Sequence, residues 1–214
     1  MGVTVSGKNI FPSNIQGLPT WYTIRVSKEG WTAARKGVDL LVAMNVESVA
    51  DDLRNLRSGG TVILSSELKP FLTRADLRAH IVPFPELVAR VCPEVKFRKL
   101  VTNMIYVGVV GWLLSLDLEE IQQAIARQFK SKPKAAELNR NAALLGYNWS
   151  AEHLHNDHAL AIQRVPSAGS RVLIEGNSAT ALGFLFGGVT VVGWYPITPS
   201  SSVIESLSGL LSHY

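Results

Sequence analysis

The sequence contains a single cysteine, Cys92, among 214 residues. One thiol excludes a disulfide within the chain. It also excludes an iron–sulfur cluster held by this chain alone, because such clusters are normally held by four thiolates. Cys92 is therefore best interpreted as a small buried side chain. A chain without disulfides suits a reducing compartment, so we expect a cytoplasmic protein.

Hydrophobic runs long enough to cross a membrane are missing as well. The two longest candidates are Met104–Leu116, and Ala181–Ile197, which glycines and a proline interrupt. A bilayer-spanning helix needs about 20 consecutive apolar residues. Both segments are therefore predicted to be buried helix or buried strand, and we expect no membrane partner.

Basic clusters and short catalytic signatures are equally scarce. The formal net charge is +4, but the densest basic run, Lys130–Lys134, has no aromatic residues between its lysines. Nucleic-acid surfaces combine clustered basic residues with aromatic platforms, so no nucleic-acid partner is expected. The sequence has no G-x-G-x-x-G and no G-x-S-x-G, which excludes the usual dinucleotide-binding turn and the nucleophile elbow of hydrolases.

The sequence does contain alternating strand and helix patterns. Thr20–Ser27 alternates, with Tyr22, Ile24 and Val26 on one side, and this predicts a half-buried strand. Short continuous apolar runs predict parallel strands covered on both faces, at Val38–Met44, Thr61–Leu64 and Ala79–Pro83.

Helical periodicity follows these strands. Ser48–Leu56 predicts a short helix capped by Ser48, the glycine pair Gly59-Gly60 is predicted to end that connection, and Pro85 opens another short helix. Longer helices are predicted over Lys99–Ser115, Leu118–Phe129 behind an Asp117 cap, Ala135–Leu145 ended by Gly146, and Ala151–Ile162.

The most informative stretch is Gly193–Ser202, which reads GWYPITPSSS after the strand-like Val189–Val192. Two prolines prevent regular structure between Tyr195 and Pro199, and an apolar-periodic helix follows. Thr198 with Pro199 fits a cap and a first-turn proline, and Ser202 with Glu205 has capping-box spacing. The free amides and hydroxyls of such a helix start suit a carboxylate or phosphate. The alternative is an ordinary proline-rich surface turn.

A histidine-rich segment offers a second candidate site. His153, His155, Asp157 and His158 fall within six residues. On a helix, His155 and His158 would share a face, and His153 could join them through Asp157. Such a group can ligate zinc, but the segment is a connector with no fixed geometry. We interpret it as a polar, solvated face and predict no metal.

The motifs in the second half resemble a known family. Glu175–Gly183 reads EGNSATALG and precedes YPITPSS at Tyr195–Ser201. Together they resemble the start of the α-subunit, pyrimidine-side domain of 2-oxoacid:ferredoxin oxidoreductases. The first half resembles the γ-type domain of the same enzymes, through GKNIFPSN at Gly7–Asn14 and GLPTWY at Gly17–Tyr22, continued by Ile24–Ser27, Asn103-Met104, Glu137–Asn139 and Gly146-Tyr147.

The resemblance implies an α/β fold in three parts. Residues 1–150 are expected to form a γ-type domain, a three-layer and mostly parallel sheet without its first strand–helix unit. Residues 151–170 are expected to be a linker, and 171–214 the truncated start of a thiamine-enzyme pyrimidine-type domain. The chain departs from the family at both ends, so we expect a fragment that lacks the glutamate that activates thiamine. Glu205 stands too early for that role.

The resemblance also implies a function within a complex. Such enzymes decarboxylate a 2-oxoacid on thiamine diphosphate, pass electrons through a 4Fe-4S cluster to ferredoxin, and give the acyl group to coenzyme A. The cofactors, including Mg²⁺, would be held by a β-type partner subunit, and this chain would bind none alone and be inactive alone. Thr198 would help to hold the substrate carboxylate, and Tyr195, Pro196, Ile197 and Ser200 would shape the site. The alternative function is a non-catalytic assembly or regulatory module.

Overall fold

The protein is described by a computed structural model that covers residues 2–10, 20–165 and 172–212. The chain divides into two compact units, Met1–Ser167 and Ala168–Tyr214. The predicted domain limits at residues 150 and 171 stay predictions.

The first unit contains five strands and five helices among its described residues, and the second unit contains two helices. The strands are β1 Thr4–Ile10, β2 Trp21–Ser27, β3 Val38–Ala43, β4 Leu56–Ser65 and β5 Arg78–Val82. The helices are α1 Val49–Asn55, α2 Phe84–Val91, α3 Val95–Leu113, α4 Leu118–Gln128, α5 Pro133–His153, α6 Gly176–Phe186 and α7 Ser200–Leu211, with a 3₁₀ helix at Ser66–Phe71.

A three-stranded parallel sheet, in the order β3-β4-β5, is the centre of the first unit. Its side chains alternate between two apolar clusters because successive residues of a strand point to opposite faces. Leu40, Val42 and Ile63 pack with α2, α3 and α5, whereas Leu41 and Val62 pack with α1. The predicted three-layer α/β arrangement is confirmed for this unit.

Strand β4 begins five residues earlier than predicted. Its pairing with β3 is irregular between Val38 and Leu40, where Leu56 and Thr61 are the respective partners. Gly59, with a φ of 70°, lies inside this irregularity. The glycine pair therefore forms a kink within β4, and the prediction that it ends the preceding connection is wrong.

Helix α5 passes through Gly146, which was predicted to end it. A Cβ atom at Gly146 would collide with the carbonyl oxygen of Ile105 on α3, and one at Gly108 would collide with the carbonyl oxygen of Ala143 on α5. Glycine is therefore needed here for close approach of two helix backbones, and not for a left-handed cap.

The helix predicted over Ala151–Ile162 does not form, because α5 ends at His153 and irregular chain follows to residue 165. The side-chain amide of Asn156 donates to the carbonyl oxygens of Trp112 and Leu113, both at 3.1 Å. The amide of Ile162 donates to Leu114 at 2.8 Å. These bonds satisfy carbonyl groups at the end of α3, and they hold the connector in a non-helical path.

Strands β1 and β2 form a separate antiparallel ribbon, with Val5 opposite Val26 and Asn9 opposite Tyr22. The predicted alternation in β2 is confirmed, but its apolar side faces outward. Tyr22 is 67% exposed and Ile24 is 60% exposed, whereas the polar Ser27 is only 8% exposed. The inner side is linked to α1 by a hydrogen bond, which Trp21 Nε1 donates to Asp52 at 2.7 Å.

The second unit is a pair of helices joined by a segment without regular structure. The strand predicted at Val189–Val192 is absent, and no strand is assigned anywhere in residues 172–212. A strand needs a neighbouring strand to form its hydrogen bonds, and the described part of this unit has none. Only Ala181 and Leu207 are buried in the described part of this unit.

A polar seam joins α6 and α7. Asn177 Nδ2 donates to Ser202 Oγ at 2.6 Å and to the carbonyl oxygen of Pro199 at 3.0 Å. The hydroxyls of Ser178 and Ser206 are 3.1 Å apart. Side-chain hydrogen bonds, more than buried apolar area, therefore set the relation of the two helices.

Among the helices of the described segments, none combines the length and the apolar character that crossing a bilayer requires.

Candidate functional site

The turn before α7 is held by its own backbone and by one hydroxyl. The amide of Ile197 donates to Tyr195 at 2.8 Å, and the amide of Ser200 donates to Ile197 at 2.7 Å. Ser200 Oγ lies 3.0 Å from the carbonyl oxygen of Tyr195 and 2.6 Å from that of Ile197. The Thr198–Pro199 peptide is cis. The predicted rigid, non-regular turn is present.

Thr198 differs from Ser200 and Ser202 in the use of its hydroxyl. Ser200 and Ser202 both donate to carbonyl groups of the turn, Ser202 to Pro199 at 3.0 Å. Within the described residues, Thr198 has no side-chain hydrogen bond, and it is exposed. Ser201, which is half-buried, also has no side-chain hydrogen bond within the described residues, so the hydroxyls of Thr198 and Ser201 are available to a ligand and that of Thr198 is the more exposed.

The start of α7 carries no side-chain cap. The helix begins at Ser200, with Pro199 at the N-cap position, so the predicted Thr198 cap is displaced by one residue. The predicted capping box is also wrong, because the Ser202 hydroxyl bonds to Pro199 and Glu205 is exposed. A helix start without a side-chain cap keeps amide groups, and the positive end of the helix dipole, available to an anion.

The remaining predicted site residues form an open wall around this helix start. Tyr195 is 75% exposed and Ile197 is 59% exposed, and Pro196 is exposed as well. This arrangement can contact one side of a carboxylate-bearing molecule. It does not enclose one by itself.

The histidine-rich segment does not converge on a metal position. His153 stacks on Trp149 with ring centroids 4.7 Å apart, and His158 Nδ1 lies 2.9 Å from Ser115 Oγ. Asp157 pairs with Arg78 at 2.8 Å. In the part of the chain that the structure describes, no three histidine, cysteine or acidic side chains group as metal ligands.

A cleft of about 320 Å³, which the sequence does not predict, lies at the amino-terminal edge of the parallel sheet. Its polar lining includes Thr61, Arg78, His80, His155 and Asn156. Burial lowers the pKa of His80, and the neighbouring Arg78 and His155 lower it further, against an opposing effect of Asp157. Only the folded chain brings His80 beside the connector, so no local motif could have shown it.

His80 makes the stability of the protein depend on pH. The unfolded chain binds a proton at His80 more readily than the folded chain, so this contribution is complete above the ordinary histidine pKa of about 6.5. It is lost as pH falls from that value toward the lower pKa of the folded state. We expect His80→Gln to reduce the fall in unfolding free energy between about pH 7 and about pH 5. Urea unfolding at several pH values measures this, and equal slopes for both proteins would contradict it.

The chain is similar to several known proteins. The family model of pyruvate ferredoxin/flavodoxin oxidoreductase matches residues 1–149. The α subunit of 2-oxoacid:ferredoxin oxidoreductase 2 from Aeropyrum pernix is 24% identical over 241 aligned positions, which cover 94% of this chain and 37% of that protein. The chain spans about a third of the length of the curated relatives it matches.

Two solved structures share the fold. One is a 2-oxoglutarate:ferredoxin oxidoreductase from Magnetococcus marinus, described with 2-oxoglutarate, coenzyme A and succinyl-CoA bound. It has a TM-score of 0.85 at 20% identity and covers 99% of this chain and 37% of that chain. The other is a keto/oxoacid ferredoxin oxidoreductase γ subunit from Geobacter sulfurreducens, with a TM-score of 0.57 at 18% identity, covering 71% of this chain and 82% of that chain. The expected γ-type fold is confirmed.

Proposed function

We propose a function from one established premise: this chain belongs to the pyruvate ferredoxin/flavodoxin oxidoreductase family. The proposal is that the chain is part of the α subunit of a thiamine-diphosphate-dependent 2-oxoacid:ferredoxin oxidoreductase. In the assembled enzyme it would supply a γ-type scaffold and one wall of the substrate site.

The free hydroxyl of Thr198 is the observation that carries this proposal. It stands one residue before the N-cap of α7, at a helix start that no side chain caps. A hydroxyl beside such a helix start is a suitable donor to a carboxylate, because the bond is charge-assisted and the helix dipole favours an anion. Thr198 would bind the carboxylate that every 2-oxoacid carries.

The other predicted site residues would shape and hold this position. Ser200 would keep the turn closed through the carbonyl groups of Tyr195 and Ile197, at 3.0 and 2.6 Å. Pro196 and Pro199 would restrict the backbone, so that the Thr198 hydroxyl is presented with little loss of entropy on binding. Tyr195 and Ile197 would exclude water from one side of the substrate.

The cofactors would be held mainly by a β-type partner subunit. The described residues group no metal ligands, and the Thr198 turn offers one helix start and the two unpaired hydroxyls of Thr198 and Ser201, which suits a substrate carboxylate better than a diphosphate with its metal. When bound, thiamine diphosphate supplies the decarboxylation chemistry, and the 4Fe-4S cluster carries electrons to ferredoxin. Coenzyme A would accept the acyl group.

The test of this function uses the chain within its full-length α subunit, combined with the β-type subunit. We expect 2-oxoacid-dependent reduction of a redox dye, and none from the 214-residue chain alone. We expect Thr198→Ala to raise KM for the 2-oxoacid by about 10- to 100-fold, since a hydrogen bond to a charged group contributes about 1.5–3 kcal/mol.

Two variants control this measurement. Thr198→Ser keeps the hydroxyl and should stay near the unsubstituted KM. Thr180→Ala removes a hydroxyl of the same type on α6, which donates to the carbonyl oxygen of Gly176 at 2.9 Å, and should leave KM unchanged. An unchanged KM for Thr198→Ala would remove Thr198 from the substrate site. No dye reduction by the intact pair would favour the non-catalytic module instead.

A further inference from the structure

Asn177 forms a closed group of three hydrogen bonds with the turn before α7. Its Nδ2 donates to the carbonyl oxygen of Pro199 at 3.0 Å and to Ser202 Oγ at 2.6 Å. Ser202 Oγ in turn donates to the same Pro199 carbonyl oxygen at 3.0 Å. The side-chain amide has two hydrogens and the hydroxyl has one, so all three bonds form at once.

The same count of hydrogens fixes the orientation of the Asn177 amide. The Ser202 hydroxyl donates its one hydrogen to Pro199, so towards Asn177 it only accepts, and a carbonyl oxygen always accepts. Both partners therefore require the nitrogen of the side-chain amide, and an oxygen in its place would face two acceptors. Asn177 and Ser202 are both half-buried, so water replaces a lost donor here only in part.

Few rotatable bonds separate the Pro199 carbonyl group from Thr198. The proline ring fixes φ of Pro199, and the peptide that joins the two residues is planar. Holding the carbonyl group of Pro199 therefore also holds the Cα of Thr198. On the other side of Thr198, Ser200 Oγ lies 2.6 Å from the carbonyl oxygen of Ile197. Ser200 belongs to α7, whereas Asn177 belongs to α6 and relates the position of Thr198 to that second helix.

We propose that Asn177 is a positioning residue of the 2-oxoacid site, whose side-chain amide holds Pro199 so that the Thr198 hydroxyl meets the substrate carboxylate. This role rests on the proposed function, because Thr198 is the group through which Asn177 acts. Asn177 itself would not contact the substrate. Placement of this kind matters because a displacement of about 1 Å in a binding group costs up to about 100-fold in rate.

Kinetics of the full-length α subunit with its β-type partner test this role. Asn177→Leu keeps the approximate shape of the side chain but removes the donor. We expect it to raise KM for the 2-oxoacid about three- to tenfold, the range of one net hydrogen bond. We expect kcat to change by less than about twofold, because a contact made equally in the ground state and the transition state affects KM alone. A general loss of structure would lower kcat instead.

The double variant Asn177→Leu with Thr198→Ala shows whether Asn177 acts through Thr198. Once the Thr198 hydroxyl is gone, its position no longer matters to the substrate. The KM of the double variant should therefore equal that of Thr198→Ala within about twofold. If the two effects multiply, Asn177 acts on the substrate by another route and the positioning role is overturned.

Two further variants separate positioning from charge and from helix packing. Asn177→Asp also removes the donor, although an acidic residue in the first turn favours α6 itself. Its KM should rise at least as far as that of Asn177→Leu, and a rise for Asn177→Asp alone would mean charge repulsion and overturn the role. Ser178→Ala removes the neighbouring 3.1 Å contact with Ser206 and leaves Pro199 bonded. Its KM should rise less than that of Asn177→Leu, and an equal rise would assign the effect to packing of the helix pair.

The outcomes separate this inference from the proposed function. If the unsubstituted pair reduces dye and Thr198→Ala raises KM, but Asn177→Leu leaves KM unchanged, the positioning role is overturned and the function stands. An unchanged KM for Thr198→Ala removes Thr198 from the substrate site, and the role of Asn177 with it. If the unsubstituted pair reduces no dye, the function and the role of Asn177 both fall.

Discussion

Gly108→Ala is expected to destabilise the protein by about 3 kcal/mol or more, although alanine is the better helix former. The added Cβ would overlap the carbonyl oxygen of Ala143 and lie 2.7 Å from the amide nitrogen of Tyr147. Both are backbone atoms of α5, so neither can move without displacing that helix. Gly146→Ala should behave in the same way, because its Cβ would overlap the backbone of Ile105.

Gly111→Ala is the matched comparison on the same helix. Its Cβ would meet Cδ1 of Ile121, the flexible end of a side chain that can rotate away. The gain in helix propensity, about 1 kcal/mol, should offset most of this cost. Urea unfolding followed by far-UV circular dichroism compares the variants, and equal midpoints for Gly108→Ala and Gly111→Ala would contradict the proposed backbone contact.

Phe84→Ala is expected to cost about 3–5 kcal/mol of stability, as large-to-small changes at buried aromatic positions do. Phe84 is 2% exposed, and its ring stacks on Tyr106 with centroids 3.6 Å apart. Tyr106 Oη donates to the carbonyl oxygen of Ala43 at 3.2 Å. The pair thus joins the start of α2, the middle of α3 and the end of β3, and its loss should affect all three elements.

Two further variants put the stability cost of Phe84→Ala in context. One removes the Tyr106 hydroxyl, and the other removes an exposed aromatic ring. Burial raises the pKa of Tyr106 well above its usual range, so the hydroxyl remains a neutral donor at ordinary pH. Tyr106→Phe removes only this donor and should cost about 1–2 kcal/mol. Phe97→Ala, at a position 41% exposed, should cost less than about 1 kcal/mol. Chemical denaturation ranks the three, and a cost for Phe97→Ala equal to that of Phe84→Ala would contradict the argument.

Local patterns were sufficient for much of the first unit. Continuous apolar runs predicted β3 and β5, and Asp117 is the cap of α4, where it accepts from the amide of Glu119 at 3.1 Å. Each of these signals depends on a few neighbouring residues. They can therefore be recognised without knowledge of what packs against these elements.

Apart from the caps at the start of α7, the failed predictions depend on a partner distant in sequence. Gly146 resembles a helix end until Ile105 of α3 is placed against it, and Val189–Val192 resembles a strand although its unit offers no neighbour. Alternation in β2 predicts which side chains share a face of the strand, but it does not predict which face points inward. For the candidate site, the turn was predicted, whereas the Ser200 and Ser202 hydrogen bonds that leave Thr198 free required the folded backbone.

The polar seam between α6 and α7 determines where the backbone of Thr198 lies. Apolar contacts tolerate sliding and rotation of one helix on another, but hydrogen bonds are directional and are lost when either helix turns. Asn177, Ser178, Ser202 and Ser206 therefore select one azimuth of α7 about its own axis. A helix pair with so little buried apolar area gains a unique register from this selection, and the backbone of Thr198, one residue before the N-cap of α7, is positioned with it.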